Sequence, residues 1–165
     1  MDNLVTARLV LHPLSAAEAE RVAVGEPGSG DLWADGYPDD GDRTGAIRLL
    51  GLWAEHGDPR PFGAYEIRLK EDGRAIGGVG FHGPPDDRGA VTVGYGLVPS
   101  EHGKGYASEA LRALLELARG LGIACVEGDA DLDNIASQRV MNAVGMRRVG
   151  EDERLTYYRI DWPVD

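Results

Sequence analysis

The fold is decided by the stretch His102-Gly103-Lys104-Gly105-Tyr106-Ala107-Ser108-Glu109-Ala110-Leu111, a glycine-rich turn that opens an amphipathic helix. It follows a strand-like run at residues 91–98. Glycines between a strand and a helix leave backbone N–H groups unpaired, and the helix dipole adds partial positive charge at the same place. The turn therefore suits a phosphate or diphosphate, with an ordinary tight strand-to-helix connection as the alternative.

The pattern around this turn predicts an α/β fold with a mixed, mostly antiparallel sheet flanked by helices. Three strand-like runs precede the turn without an intervening helix, which is typical of an antiparallel meander, and Asp72-Gly73 marks a tight hairpin between two of them. A loop rich in Gly, Pro and Asp fills residues 25–42. We expect strands at 8–14, 62–70, 75–81, 90–98, 123–130, 146–149 and 155–162, and helices after the cap Ser15 and at 43–55, 104–121 and 134–143.

Length and composition predict one domain over residues 1–165, with 42% hydrophobic and 27% charged residues. The formal net charge of −11 argues against nucleic acid and anionic membranes as partners. We see no apolar leader or membrane-spanning run, so we expect a cytoplasmic location. The single cysteine, Cys125, has apolar neighbours typical of a buried strand, and the His and Cys spacing predicts no metal site.

Two common nucleotide-binding motifs fit the turn poorly. A Walker A loop is excluded because Gly105 follows Lys104, where that loop needs Ser or Thr, and because residue 98 is not glycine. A Rossmann fingerprint needs three glycines, and Ser108 stands at the third position. Glu127 lies about 20 residues onward, at the distance of a ribose contact, so a dinucleotide-binding oxidoreductase stays open as a weaker alternative.

Two further motifs accompany the turn in a fixed order. Gly94-Tyr95-Gly96-Leu97 precedes it, and Asn134-Ile-Ala-Ser137-Gln-Arg-Val140, followed by Gly145-Met146, comes after it. In these motifs and their spacing, residues 91–150 resemble the GNAT family of N-acetyltransferases, specifically the branch that acetylates ribosomal-protein N-termini and related amines. The resemblance extends more faintly over residues 6–162.

The turn itself is similar to the family's pattern (Gln/Arg)-x-x-Gly-x-(Gly/Ala). Gly105 and Ala107 match that pattern, while His102 stands where Gln or Arg is usual. The resemblance implies a GNAT fold and an acetyl-CoA-dependent N-acetyltransferase that transfers acetyl directly to a primary amine in a ternary complex. A non-catalytic acyl-CoA-binding module is the alternative, because Thr92 stands where many relatives carry glutamate.

The resemblance also implies which residues hold acetyl-CoA. Strand residues would face the pantetheine arm and the thioester, with a backbone N–H near Val98 polarising the thioester carbonyl. Main-chain amides of the turn would hold the diphosphate, with Lys104 as a charge partner, while Asn134 would contact the cofactor arm and Arg139 a phosphate. The cofactor-binding candidates are Leu97, Val98, His102, Gly103, Lys104, Gly105, Tyr106, Ala107, Asn134 and Arg139.

For the chemistry, the family position of Ser137 implies a hydroxyl that protonates the departing thiolate, with a plain surface hydroxyl as the alternative. The base is less well defined, because Thr92 cannot accept a proton at neutral pH. Glu127 is the candidate that we place in the catalytic set, and Glu66 or a water relay are others.

The acceptor is expected to be an amine on a small molecule or a peptide. In GNAT folds the segment between the first two helices flanks the acceptor pocket, and the loop here carries Trp33, Asp35, Tyr37 and Asp39. We therefore hypothesise that Asp35 and Asp39 help to recognise a cationic amine. The sequence leaves the oligomeric state open between a monomer and a homodimer that pairs through edge strands.

Overall fold

Eight strands and four helices form the part of the chain that the computed structural model describes, residues 1–163. In chain order they are β1 (Leu4–Val5), β2 (Leu9–Pro13), α1 (Ala16–Val24), α2 (Asp40–His56), β3 (Ala64–Leu69), β4 (Ala75–Phe81), β5 (Ala90–Leu97), α3 (Tyr106–Gly120), β6 (Cys125–Asp131), α4 (Ile135–Ala143), β7 (Arg147–Glu151) and β8 (Leu155–Asp161). A short 3-10 turn, Pro99–Glu101, joins β5 to the glycine-rich turn.

All eight strands lie in one sheet, in the order β1-β2-β3-β4-β5-β6-β8-β7. Every neighbouring pair is antiparallel except β5 and β6, which run parallel. This confirms the predicted mixed, mostly antiparallel sheet. It also rules out the doubly wound parallel sheet that a Rossmann dinucleotide site requires.

The pairing between β5 and β6 stops soon after it starts. Only Ala90, Val91 and Thr92 pair with β6, whereas β6 pairs with β8 along its whole length, from Cys125 to Asp131. The backbone edges at residues 93–97 of β5 and 128–131 of β6 therefore face each other without a ladder. We call this opening the β5–β6 gap.

The helices cover opposite faces of the sheet. Helix α3 packs against β2, β4 and β5 through one buried stripe, and it contacts α4, whose Met141 lies over Gly128 of β6. Helices α1 and α2 pack on each other and on the other face, where Asp42 of α2 approaches Gly78 of β4. The α3 stripe matches the predicted periodicity and consists of Ala110, Leu111, Leu114, Leu115 and Ala118.

The start of α2 corrects one prediction. The loop was expected to run to residue 42 and the helix to begin at 43, but the helix begins at Asp40. Asp39 caps it, because its carboxylate accepts the Asp42 N–H while the Asp42 carboxylate accepts the Asp39 N–H. The buried residues of α2 are Ala46 and Leu49, whereas Ile47 is 60% exposed.

Cys125 lies at the start of β6 and is buried, as predicted. Burial raises the pKa of its thiol above the usual value, so it is a poor nucleophile. Within residues 1–163, no helix combines the length and apolar character needed to span a bilayer.

Candidate active site

The glycine-rich turn leaves the start of α3 open. Gly105 caps the helix with φ +83°, and no side chain caps the helix at this end. Gly103 also has positive φ (+77°), and a methyl group there would meet no atom within 4 Å, so its surroundings are open. By contrast, a capping box closes the starts of α1 and α2. The first N–H groups of α3 are therefore available to an external anion.

The longer side chains of the turn make contacts within the protein. His102 Nε2 lies 2.8 Å from the Leu97 carbonyl, which can only accept, so this nitrogen carries the proton. Lys104 Nζ lies 3.0 Å from the carboxylate of the buried Glu101. Both contacts tie the turn to the end of β5, so the main chain is the part of the turn that remains free.

Arg8 holds the turn from the other side. Its guanidinium donates to the Lys104 carbonyl at 2.8 Å and lies 4.4 Å from the centre of the Tyr106 ring. It also pairs with Glu109 in the first turn of α3, at 2.8 Å. Ala107 is partly buried in the same helical turn, next to Tyr106.

Leu97 and Val98, predicted to face the thioester, are both buried at the end of β5. The Val98 N–H donates to the Ile76 carbonyl on β4 at 2.8 Å. The Val98 N–H is therefore not free to polarise a thioester, and the expected N–H near Val98 has to come from another residue.

Ser137 meets a partner that the sequence did not single out as a chemical group. Its Oγ lies 2.7 Å from the hydroxyl of Tyr95, which stands on the unpaired part of β5, so the two side chains meet across the β5–β6 gap. The Tyr95 hydroxyl also lies 2.9 Å from the Ser137 carbonyl, so it can donate either there or to Ser137 Oγ, and when it donates to Oγ the Ser137 proton is free for another acceptor. Burial raises the pKa of Tyr95, so its phenol stays protonated.

The other two candidates on α4 lie close to Ser137. Asn134 caps the helix by accepting the Ser137 N–H at 3.1 Å. Arg139 is exposed.

The two glutamates considered as bases are both paired with arginine. Glu127 of β6 stands opposite Thr92, at the last position where β6 pairs with β5. Its side chain is 33% exposed and lies 3.1 Å from Arg88. Glu66 is buried on β3 and accepts from the Tyr37 hydroxyl at 2.7 Å and from Arg68 at 2.8 Å. Each carboxylate therefore already has an arginine as its partner in an ion pair.

A cavity of about 460 Å³ lies between the start of α2 and the middle of the sheet. Its floor is formed by glycines, because Gly78 of β4 pairs with Gly96 of β5 and Gly80 pairs with Gly94. Both β5 glycines lie beyond the last residue that pairs with β6, so the floor ends at the β5–β6 gap. We call this space the acidic cavity, since Asp39, Asp40 and Asp42 line it.

The early loop contributes only in part to this cavity. Tyr37 and Asp39 line it, whereas Asp35 is exposed outside it. Trp33 bridges to Ala75 of β4 and packs its ring on the edge of Tyr37, 5.4 Å between ring centres. The loop is therefore ordered against the sheet, and only its second half reaches the cavity.

Asp42 is a second group that sequence reasoning missed. Its Oδ1 lies 2.9 Å from the position that a Cβ on Gly78 would occupy, so the carboxylate rests directly on the glycine floor. Burial, with a smaller contribution from the neighbouring Asp39 and Glu66 carboxylates, raises the pKa of Asp42 to about 7. The spacing Asp39-x-x-Asp42, which is that of a capping box, was the available signal for its position.

Comparison with known proteins agrees with this geometry. A family model described as an acetyltransferase (GNAT) domain matches residues 8–147. An N-acetyltransferase of Bacillus licheniformis, p20, is 24% identical over 161 residues, covering 91% of this chain and 85% of that protein. Another from Bacillus subtilis, YnaD, is 31% identical over 87 residues, about half of each chain.

Solved structures share the fold over almost the whole chain. The acetyltransferase from Agrobacterium tumefaciens is 25% identical with a TM-score of 0.67, covering 98% of this chain and 95% of its own. RimL, a ribosomal L7/L12 alpha-N-protein acetyltransferase solved with coenzyme A, is 18% identical with a TM-score of 0.71 and 98% coverage of both chains. With the parted strands, the uncapped turn and a family match over most of the sequence, the chain belongs to the GNAT family of acetyl-CoA-dependent N-acetyltransferases.

Proposed function

We propose that this protein transfers the acetyl group of acetyl-CoA directly to a primary amine while both are bound. The observation that carries the proposal is the meeting of two spaces at Gly94 and Gly96. The β5–β6 gap and the uncapped start of α3 lie on one side of these residues, and the acidic cavity lies on the other. An acyl donor in the gap and an amine in the cavity would thus be brought together.

The donor site is built mainly from main chain. Amides from His102 through Ala107 would hold the diphosphate at the start of α3, where Gly103 and Gly105 leave room for it. The pantetheine arm would pair with the free edge of β5. Because the Val98 N–H is committed to β4, strand alternation points the Leu97 N–H toward the gap, and we infer that this amide polarises the thioester carbonyl.

The side chains of the turn then have a supporting role. His102 and Lys104 hold the turn in shape through Leu97 and Glu101. Asn134 would contact the cofactor arm while it caps α4, and the exposed Arg139 would reach a phosphate. These roles agree with the resemblance and stay predictions.

Ser137 would supply the proton that the thiolate needs when the carbon–sulfur bond breaks. Its hydroxyl lies at the β5–β6 gap and is held by Tyr95 at 2.7 Å, so the pair forms a short chain of hydroxyl groups. A positioned acid of this kind contributes about 10²-fold or more to such reactions.

The acceptor class follows from the charge of the cavity. Asp39 and Asp40 line its mouth at the start of α2 and would attract a protonated amine. A small-molecule amine and the N-terminus of a peptide both fit this chemistry. The cytoplasmic location and the homodimer remain predictions.

The test combines binding with turnover. Calorimetry should detect acetyl-CoA binding, and free thiol should appear only when an amine is added from a panel of Ala- and Ser-initiated tetrapeptides, 1,4-diaminobutane and glucosamine. The N-acetylated form of each tetrapeptide is the matched control and should give none. Binding without thiol release across the panel would support the non-catalytic module, and no binding would overturn the proposal.

A further inference from the structure

We propose that Asp42 is the catalytic base, which removes the proton from the bound acceptor ammonium group before the nitrogen attacks the thioester. This inference rests on the proposed function. It assigns the proton-accepting role to a residue of α2 and not to the strand before the glycine-rich turn, where Thr92 stands.

Position is the first argument. Asp42 lies in the first turn of α2 and its Oδ1 rests on Gly78, which pairs with Gly96 on β5. Gly96 immediately precedes Leu97, the residue inferred to hold the thioester carbonyl. A carboxylate on this floor is therefore one strand away from the reacting carbon, within the cavity that would receive the amine.

The absence of a cationic partner is the second argument. Among the carboxylates near the two spaces, Glu66, Glu101 and Glu127 are each paired with an arginine or lysine. Among residues 1–163, the only hydrogen-bond donor to the Asp42 carboxylate is the Asp39 N–H, at 3.1 Å to Oδ2. Its Oδ1 is therefore left to accept from a ligand.

The charges around Asp42 favour a group that can gain and lose a proton near neutral pH. Burial and the neighbouring carboxylates raise the pKa of Asp42 to about 7, while the backbone hydrogen bond from Asp39 opposes this. A base with its pKa near the working pH is the most effective. The charged and titratable groups that line or adjoin the cavity come from every element around it: Asp39 at the cap of α2, Asp40 and Arg48 on α2, Tyr37 on the loop, Tyr65 and Glu66 on β3, His82 after β4, and Tyr95 on β5.

His82 is the rival base in the cavity. Its ring lies over Gly94, with Nε2 2.8 Å from the position of a Cβ there, and burial and Arg48 lower its pKa. It is, however, more exposed than Asp42 and lies farther from Gly96 along the floor. The experiment must therefore separate the two.

The proton and electron balance is complete with the groups already present. Asp42 takes one proton from the ammonium, and the freed electron pair on nitrogen forms the bond to the acetyl carbon. The carbon–sulfur bond breaks and its electron pair leaves on sulfur, which takes a proton from the Ser137 hydroxyl. The nitrogen gives up its second proton, which restores Ser137 through water, and Asp42 releases its proton to solvent.

The test is the pH profile of kcat/KM for Asp42→Asn with the fastest amine of the panel. Asparagine can still accept the Asp39 N–H through its amide oxygen, so the capping box is largely kept. We expect the rising limb near pH 7 to disappear, a loss of about 10²-fold at pH 7, and partial recovery at high pH, where the amine is already neutral. Acetyl-CoA binding should be unchanged.

The matched control is Glu18→Gln, which makes the same carboxylate-to-amide change at the same position of the α1 capping box. It should keep the wild-type profile. A limb near pH 7 that persists in Asp42→Asn, or that is lost in His82→Gln instead, overturns the proposal. A uniform loss in Asp42→Asn with the limb unchanged also overturns it, since that result indicates a role in shape alone.

A second measurement needs no acceptor. In ¹³C-NMR titration of the free protein labelled at aspartate carboxyl groups, one resonance should titrate near pH 7 and be missing from Asp42→Asn. If all aspartates titrate in the ordinary range, Asp42 is not the base. Failure of the wild-type protein to release thiol with any amine is a different result, because it contradicts the proposed function itself.

Discussion

The starts of α2 and α3 lie on the two sides of the same active-site region but carry opposite chemistry. Helix α2 begins with its own carboxylates, and Asp39 and Asp42 satisfy its first N–H groups. Helix α3 begins with Gly105 and no side-chain cap. Both helix starts carry the partial positive charge of the helix dipole, but only at the start of α3 is this charge available to an external anion.

This difference shows how one structural element can serve two substrates. An uncapped helix start can bind a diphosphate, whereas a start that already holds acidic side chains repels anions and attracts a cation. The predictions below change one helix start at a time. Those on binding and turnover come first, from the largest expected effect to the smallest, and the one on stability comes last.

Giving α3 a carboxylate cap should remove the difference in anion binding between the starts of α2 and α3. We expect Gly105→Asp to weaken acetyl-CoA binding about 100-fold or more, because the new carboxylate occupies and repels the diphosphate site. Calorimetry measures this. Gly122→Asp is the matched control, since Gly122 has similar positive φ (+79°) and open surroundings beyond the other end of α3. Equal losses in both variants would indicate backbone strain instead.

The start of α4 offers a third case, where the cap Asn134 takes only the backbone N–H of Ser137 and the Ser137 hydroxyl contacts Tyr95. We expect Ser137→Ala to lower kcat about 10- to 100-fold with little change in the KM for the amine, because the hydroxyl acts on the leaving thiolate. Steady-state thiol-release kinetics measure both constants. Ser137→Thr should restore much of kcat, and an unchanged kcat in Ser137→Ala would exclude the role.

The charge at the start of α2 should affect acceptor binding more modestly. Asp39→Asn keeps a good helix cap but removes one charge from the cavity mouth, so we expect the KM for 1,4-diaminobutane to rise about threefold to tenfold. Asp35→Asn is the control, because Asp35 belongs to the same loop but lies outside the cavity. Similar KM values for the two variants would contradict the assignment of this charge to the acceptor.

The last prediction concerns the free energy of unfolding. Folding raises the pKa of Asp42 from 3.8 to about 7, so the folded state binds the proton more tightly, and stability falls as pH rises through this range. Asp42→Asn should therefore be more stable than wild type at pH 8, by up to about 4 kcal/mol, with little difference near pH 4. Thermal unfolding across pH tests the sign, and a variant less stable at pH 8 would contradict it.

Local patterns were enough to predict most of the fold. Period and cap signals placed α1 and α3, and the order of elements was correct apart from the two-residue β1, which is too short to show a period. The start of α2 was misplaced because Gly, Pro and Asp around Asp39 resemble a loop in composition. The capping spacing to Asp42 was the better signal.

The site was harder to predict from the sequence than the fold, because it depends on contacts between residues that are far apart in the chain. Burial raises the pKa of Asp42, and the carboxylate lies against Gly78, a residue of β4 that is far along the chain. The contact of Tyr95 with Ser137 joins residues 42 positions apart. The parting of β5 and β6 left no periodic signal in the sequence, because it is a matter of which strands pair and for how long.

The β5–β6 gap also bears on how such a protein can change over time. A binding surface made of peptide groups depends on the path of the backbone and only weakly on side chains. Most side chains along it can therefore be exchanged without loss of binding. This tolerance fits a chain that keeps the architecture of RimL at 18% identity. In the proposed reaction, divergence would then concentrate on the opposite side of the sheet, where side chains of the acidic cavity would select the amine.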